Sequence, residues 1–300
     1  MAGKLPVERV IVDAYRFAFA GFLSVLGTLW LPYLILVLIA LALIRLIAPD
    51  VPQMLRTGSL DLGAGVELLR LAVLVAICAF IVGAMVTVDL QNKAMGTKTG
   101  LRWVWFSLSG PVWRMAAASF LAAIVVGIVI LLAGLVCVAI WSAAGSLGAA
   151  AGLVRVIAVA AAIAVTVYIV LRLMFFLPAV VVAEKSLGFE RSWLLGGHNF
   201  WRILLVMIAV VFPVAIMTWL LSEALFGPLP GFHGFGAREG LQALLRSGAM
   251  QYGPKGYVMV VLEIIERVLL VGLINGAIAS AYLGVTSVAE PAAPPAPAVQ

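Results

Sequence analysis

Charge is what this chain has least of. Asp, Glu, Lys and Arg make up 11% of its 300 residues, against 65% that are hydrophobic. A water-soluble domain ordinarily carries about 25% charged and about half apolar residues, so a soluble fold has nowhere to hide this much apolar side chain. Cysteine is scarce as well. Cys78 and Cys137 both lie inside apolar runs, with no CxxC spacing and no Cys/His cluster, which excludes a disulfide framework and a thiolate metal site. The two histidines, His198 and His233, stand in no nucleophile–base pattern, and no GxSxG, HExxH, DxD, Walker loop or Gly-rich dinucleotide turn occurs. Gly231, Gly234 and Gly236 belong to a loop, since no strand precedes them. No catalytic residue, metal or cofactor is therefore expected.

What is present is apolar length. A bilayer core of about 30 Å needs about 20 apolar helical residues. Six runs meet that requirement, at 22–47, 67–90, 112–141, 153–182, 203–226 and 257–285. In lipid every backbone polar group must be satisfied within its own segment, which predicts helices. A barrel would instead show short alternating strands. Residues 1–6 lead into an amphipathic stretch rather than a short apolar core with a cleavage site. The first span is therefore expected to serve as an uncleaved insertion signal.

Three short segments mixing aromatics, Arg and apolar residues each precede a pair of spans: 7–20, 97–114 and 188–202. In the first, Arg9, Asp13 and Arg16 fall on one polar stripe, with Val7, Val10, Ile11, Ala14, Phe17 and Ala18 opposite. Such a helix is expected to lie in the membrane plane, with Arg at head-group level. The second carries Trp103, Trp113 and Arg114, and the third Trp193, Trp201 and Arg202. Trp favours the interface because its ring is apolar while its N–H needs a partner. With Arg16, these residues are the expected interfacial anchors. The expected fold is an all-α integral membrane bundle of six transmembrane helices in three repeated units, at about 7–90, 97–182 and 188–287. Each unit is an interfacial helix plus a helical hairpin. Residues 142–152 make a tight turn, 238–247 can form a short amphipathic helix, and 289–300 is a Pro/Ala-rich tail expected to be disordered.

Lys and Arg set the orientation. Lys4, Arg9, Arg16, Lys93, Lys98, Arg102, Arg114, Lys185, Arg191 and Arg202 fall on one side. Arg45, Arg56, Arg70, Arg155, Arg238, Arg246 and Lys255 fall on the other. The more basic side, with both termini, is expected in the cytoplasm. The net charge of +6 is carried beside apolar runs. This favours contact with anionic lipid head groups over nucleic acid, for which no soluble basic domain exists.

The stretch 175–208, FFLPAVVVAEKSLGFERSWLLGGHNFWRILLVMI, has a recognisable grammar. An apolar span ends in Pro178, and Glu184 follows. Then come Arg191-Ser192-Trp193 and Phe200-Trp201-Arg202 at the head of the next span. In this it resembles bacterial inner membrane proteins related to the membrane domain of some glycerophosphodiester phosphodiesterases, the YciC-like group. The resemblance implies a multi-span inner membrane protein and carries no catalytic residue. The phosphodiesterase activity of some relatives resides in a separate soluble barrel for which this chain has no room.

Charges inside spans are costly and default to functional candidates. Glu263 and Arg267 are four apart and can satisfy each other near the outer end of span six, while Glu266 is either an interior proton or substrate carboxylate or a helix–helix contact. Arg172 either snorkels to the interface or binds a lipid phosphate or buried carboxylate. Asn275 is expected to hydrogen-bond between helices. Asp89 and Glu223 lie near span ends and are expected to need no special account. Gly272, Gly276, Ser280 and Gly284 recur every four residues and form a small-residue ridge, suited either to packing within the bundle or to a homodimer face.

The expected function is a non-enzymatic inner membrane protein: a lipid-associated scaffold, or an accessory subunit of an envelope complex. Its expected partners are membrane lipids, anionic ones included, and a membrane protein or a second copy. The alternative is a transporter or channel using Arg172, Glu263, Glu266 and Asn275, recognisable by one polar cavity that reaches all four. A membrane-embedded lipid enzyme ranks third, for want of an acid/base pair.

Overall fold

The computed structural model describes residues 3–47, 62–97, 108–144, 151–226 and 254–287. Among them all regular structure is helical: α1 Val7–Ala20, α2 Phe22–Ile47, α3 Leu62–Ala94, α4 Gly110–Ala143, α5 Ala151–Met174, α6 Leu177–Ala183, α7 Phe189–Phe226 and α8 Pro254–Ser287. Six stretches are long and apolar enough to cross a membrane, namely α2, α3, α4, α5 with α6, α7 and α8. The chain is a multi-pass helical membrane protein. Trp103, the stretch 238–247 and the tail 289–300 lie outside the described residues.

The centre is α8. Its most apolar stretch is 67% buried by protein, the largest share of the six. It packs against α1, α2, α3 and α7. One core joins α1, α6, α7 and α8 through Val10, Ala14, Ala179, Val206, Leu273 and Ala277. A second joins α2, α3 and α8 through Val25, Leu29, Val86, Leu90 and Val268.

The first segment forms a helix with the expected bounds, but it does not lie across the spans. The Leu5 amide donates to Asn199 Oδ1 at 2.9 Å, and the Tyr15 hydroxyl donates to the Ala209 carbonyl at 3.0 Å. Both contacts have an offset of 194 residues. Helix α1 therefore runs parallel to α7. It runs antiparallel to α8, with Pro6 at Gly284, Ala14 and Phe17 at Gly276, and Ala18 at Gly272. The expected in-plane placement is thus replaced by an upright one. The apolar face of α1 finds a closer partner in the small-residue side of α8 than a lipid surface provides.

The third segment also departs from expectation, because it is continuous with the following span in the 38-residue α7. The fourth run, by contrast, breaks after Met174 and restarts as α6. Pro178 supplies no N–H to the Met174 carbonyl, and its ring crowds that turn. The chain folds back through Lys185 at φ +53° and Gly188 at φ +65°. At Gly188 a Cβ would collide with the Val180 side chain, so glycine is required by space as well as by backbone.

Helices α4 and α5 form a hairpin that docks by one end. The buried residues of α4 are Val112, Met115, Ala116, Ala118 and Ala122, and α5 buries only Leu173. These meet Ala84, Met85 and Val88 of α3 and Leu177 and Val181 of α6. Further out the two helices touch each other, as where the Cys137 thiol lies 3.6 Å from the Ala158 carbonyl. None of the residues in the most apolar stretch of either is buried.

Candidate functional site

The small-residue ridge is the seat of α1. A Cβ on Gly276 would stand 3.1 Å from Phe17 Cβ and 3.2 Å from Ala14 Cα. On Gly272 it would meet Ala18 at 3.3 Å, and on Gly284 it would meet Pro6 at 3.0 Å. The fourth member, Ser280, donates to Asp13 Oδ2 at 2.9 Å. The face weighed as a homodimer surface is occupied by the chain's own first helix.

The stretch 175–208 works as a knot. Ser192 Oγ donates to the Leu173 carbonyl at 2.6 Å, tying α7 to the end of α5. The Arg172 guanidinium stacks 4.0 Å over the Trp193 ring, donates from Nε to the Trp193 carbonyl at 3.3 Å, and reaches the Tyr168 hydroxyl. Gly196 and Gly197 leave room for Arg172, and a Cβ on either would collide with it. Glu184 accepts from Arg191 Nε at 3.3 Å and from the Tyr282 hydroxyl at 3.1 Å, joining the α6–α7 turn to α8. Arg114 donates to the Lys185 carbonyl, and Arg202 donates to the Leu5 carbonyl at 2.9 Å. Of the expected anchors, Trp113 and Trp201 face outward and Arg16 is exposed, while Trp193, Arg114 and Arg202 make tertiary contacts. Asn199 also holds the N-terminal strand of backbone, at Leu5 and at the Gly3 carbonyl.

A buried polar layer sits where α2, α3 and α8 meet. Lys93 Nζ lies 3.3 Å from Asp89 Oδ2, and their side chains are 9% and 3% exposed. Lys93 Nζ also donates to Thr28 Oγ1 at 2.6 Å and to the Ser24 carbonyl at 3.3 Å, and Thr28 Oγ1 lies 3.1 Å from Asp89 Oδ2. Beside it, Gln91 Nε2 donates to Asn275 Oδ1 at 3.0 Å, and Asn275 Nδ2 donates to the Val271 carbonyl at 2.9 Å. Asn275 thus makes the expected interhelical bond. Asp89, expected to be an ordinary span-end charge, is a buried ion-pair member instead. The Asp89–Lys93 spacing of four was visible in the sequence. That Thr28 faces it from another helix was not.

The remaining candidates do not converge. Glu263 and Arg267 pair at 3.6 Å on an open flank, with side chains 60% and 69% exposed. Glu266 lies in a narrow cleft between α7 and α8 beside Thr218 and Leu221. Arg172 is with Trp193, and Asn275 is with Gln91. The single polar cavity required by a transporter built on these four groups is not what their placement makes.

Among the described residues, two of the larger surface grooves flank α8. An apolar one of about 420 Å³ runs between α2 and α8, lined by Leu29, Trp30, Tyr33, Val37, Ile264 and Val268, with Arg267 on its rim. A polar one of about 680 Å³ lies between α1, α8 and the end of α3, lined by Arg9, Asp13, Arg16, Ala94, Ser280 and Thr286. Among the described residues no cluster of three His, Cys, Asp or Glu is placed to hold a metal ion. Comparison with family models, with curated proteins and with solved structures returns no match.

Proposed function

We propose that this chain is a non-enzymatic, lipid-associated component of the bacterial inner membrane, with both termini cytoplasmic. Its role is that of a scaffold or an accessory subunit of an envelope complex. The observation that carries this reading is the α4–α5 hairpin, docked by one end with its apolar flanks uncovered by the other described residues. Such flanks are finished by lipid or by the spans of another protein. The disposition of polar groups supports it. Asp89, Lys93, Gln91, Asn275 and Ser192 are engaged in joining helices rather than in lining a cavity. The aromatic and Arg segments that precede successive pairs of spans in the sequence support a three-unit plan, and the likeness of residues 175–208 to the YciC-like group supports the location. Native mass spectrometry after gentle extraction tests the proposal. Retained phospholipid or a stoichiometric membrane partner is expected. A lipid-free monomer in a lipid-preserving detergent would overturn it.

A further inference from the structure

We infer that the polar groove between α1, α8 and the end of α3 binds the phosphate of an anionic glycerophospholipid through Arg9 and Arg16. This rests on the lipid-associated reading and narrows it to one site and one chemistry.

Depth is the first argument. The offset of 194 residues between α1 and α7 sets Arg16 beside Val210. The antiparallel match of Phe17 with Gly276 sets it near Asn275. Both positions fall within candidate spans, Phe189–Leu221 and Val261–Thr286. At 1.5 Å per residue, Asn275 lies roughly 16 Å along the helix from Thr286. The Arg16 backbone sits at that level, and its side chain lines a groove shared with Leu283, Gly284 and Thr286 near the end of α8. A guanidinium held beside spans is stabilised there by an anion or by water. Arg16 has no hydrogen bond or ion pair among the described residues, and the groove it lines is open to the surface.

Charge balance is the second argument. Among the described residues Asp13 is the one carboxylate of the groove, and it is held by Ser280 at 2.9 Å and by Arg9 at 3.7 Å. One carboxylate against two guanidiniums leaves a surplus of one positive charge, which a phosphodiester matches. Guanidinium presents paired N–H donors at the spacing of phosphate oxygens.

The third argument is what surrounds the arginines. Val12 and Phe19 are 51% and 55% exposed. Arg9, Val12, Arg16 and Phe19 follow at spacings of three or four residues, which places them on one outward face of α1. A lipid whose phosphate meets Arg9 and Arg16 can therefore run its acyl chains along Val12 and Phe19. A soluble phosphate compound would make no use of that apolar border.

The test uses the full chain in mild detergent, titrated with phosphatidylglycerol or phosphatidylcholine and read by native mass spectrometry. Phosphatidylglycerol is expected to bind more tightly than phosphatidylcholine, and Arg9→Ala/Arg16→Ala is expected to weaken it about thirty-fold, the loss of two basic contacts at an anionic surface. Arg16→Gln alone alters an exposed side chain without a partner among the described residues and is expected to weaken binding several-fold at unchanged thermal stability. Arg45→Ala/Arg70→Ala is expected to change nothing. Phosphatidylglycerol binding that is undiminished in the double variant would overturn the site while leaving the general reading intact. Displacement of the lipid by millimolar inorganic phosphate would overturn the lipid as its source. A wild-type chain that retains no lipid at all would overturn both readings.

Discussion

Helix α8 and the α4–α5 hairpin are opposite solutions to life in a membrane. The most apolar stretch of the six spans is in α4, and none of it is buried, whereas the least apolar is in α8, and 67% of it is buried. In water that ordering would be inverted. In lipid it follows from the solvent, since acyl chains are as apolar as Leu and give no reason to hide Leu from them. What draws a helix inward is what lipid cannot satisfy or cannot match in closeness. In α8 that is Asn275 facing Gln91 and the glycines facing α1. In α4 the glycines Gly127 and Gly134 have nothing within 4 Å of a Cβ position, so they create closeness for no neighbour among the described residues.

The largest effect should come from the buried pair beside α8. Asp89→Asn leaves the Lys93 ammonium charged and confined among Ser24 and Thr28. Removing one partner of a buried pair costs about 3–5 kcal/mol in soluble proteins, and partners found in the unfolded-in-membrane state moderate that toward the lower figure. The expected readout is a large loss of stability in detergent unfolding, with Asp89→Asn/Lys93→Met recovering much of it. A single variant as stable as the parent would mean that Lys93 escapes to water and that the layer is not closed.

Next in size is the paired comparison at glycines. Gly276→Leu must displace Phe17 and Ala14, and overpacking of this kind costs about 1–3 kcal/mol. Gly134→Leu in α4 has open space to fill and should be neutral within about 0.5 kcal/mol. Thermal unfolding of both in one detergent decides the matter. Equal losses would erase the contrast between the two regions. A selective loss of assembly in cells at Gly134→Leu would sharpen it by showing a partner span on α4.

The knot around α7 predicts a smaller effect. Asn199→Ala removes the acceptor of the buried Leu5 amide and a donor to the Gly3 carbonyl. A loss of about 1–2 kcal/mol follows from the unpaired amide. Protease sensitivity should rise at the N-terminal segment before it rises elsewhere, because α1 depends on that anchor.

Length and composition told most of the fold. The six spans and the limits of α1 depend on apolar runs and a polar stripe, which are local properties. The Gly272–Gly284 ridge was legible for the same reason, since a four-residue period defines a helix face. The identity of its partner was not, because α1 lies more than 250 positions away and its own amphipathicity fits a bilayer surface equally well. The burial of Asp89 is not legible in sequence, because nearness to a span end says nothing about which way the side chain turns. Thr28, 61 positions earlier, decides that. Asn199 escaped notice because a lone Asn in an interfacial segment is ordinary. Its importance comes from the Leu5 amide, which needs an acceptor once the N-terminus is packed. Pro178 marks the end of a span in sequence, and in the structure one helix ends just before it. The short α6 beyond it is a consequence of the fold-back at Lys185 and Gly188.

The smallest expected effect concerns the other half of α8. Glu263 and Arg267 pair on its open flank, where an exposed ion pair contributes about 0–1 kcal/mol. Glu263→Gln should therefore shift unfolding by no more than about 0.5 kcal/mol, and raising the salt concentration should abolish even that. The same α8 would then hold a half whose polar groups bind the bundle together and a half whose charges are solvated by head groups. If Glu263→Gln leaves the purified chain unchanged but lowers its abundance or its co-purifying partner in the membrane, the flank is covered there by another protein. The division between a protein-facing and a lipid-facing region would then have to be redrawn within a single helix.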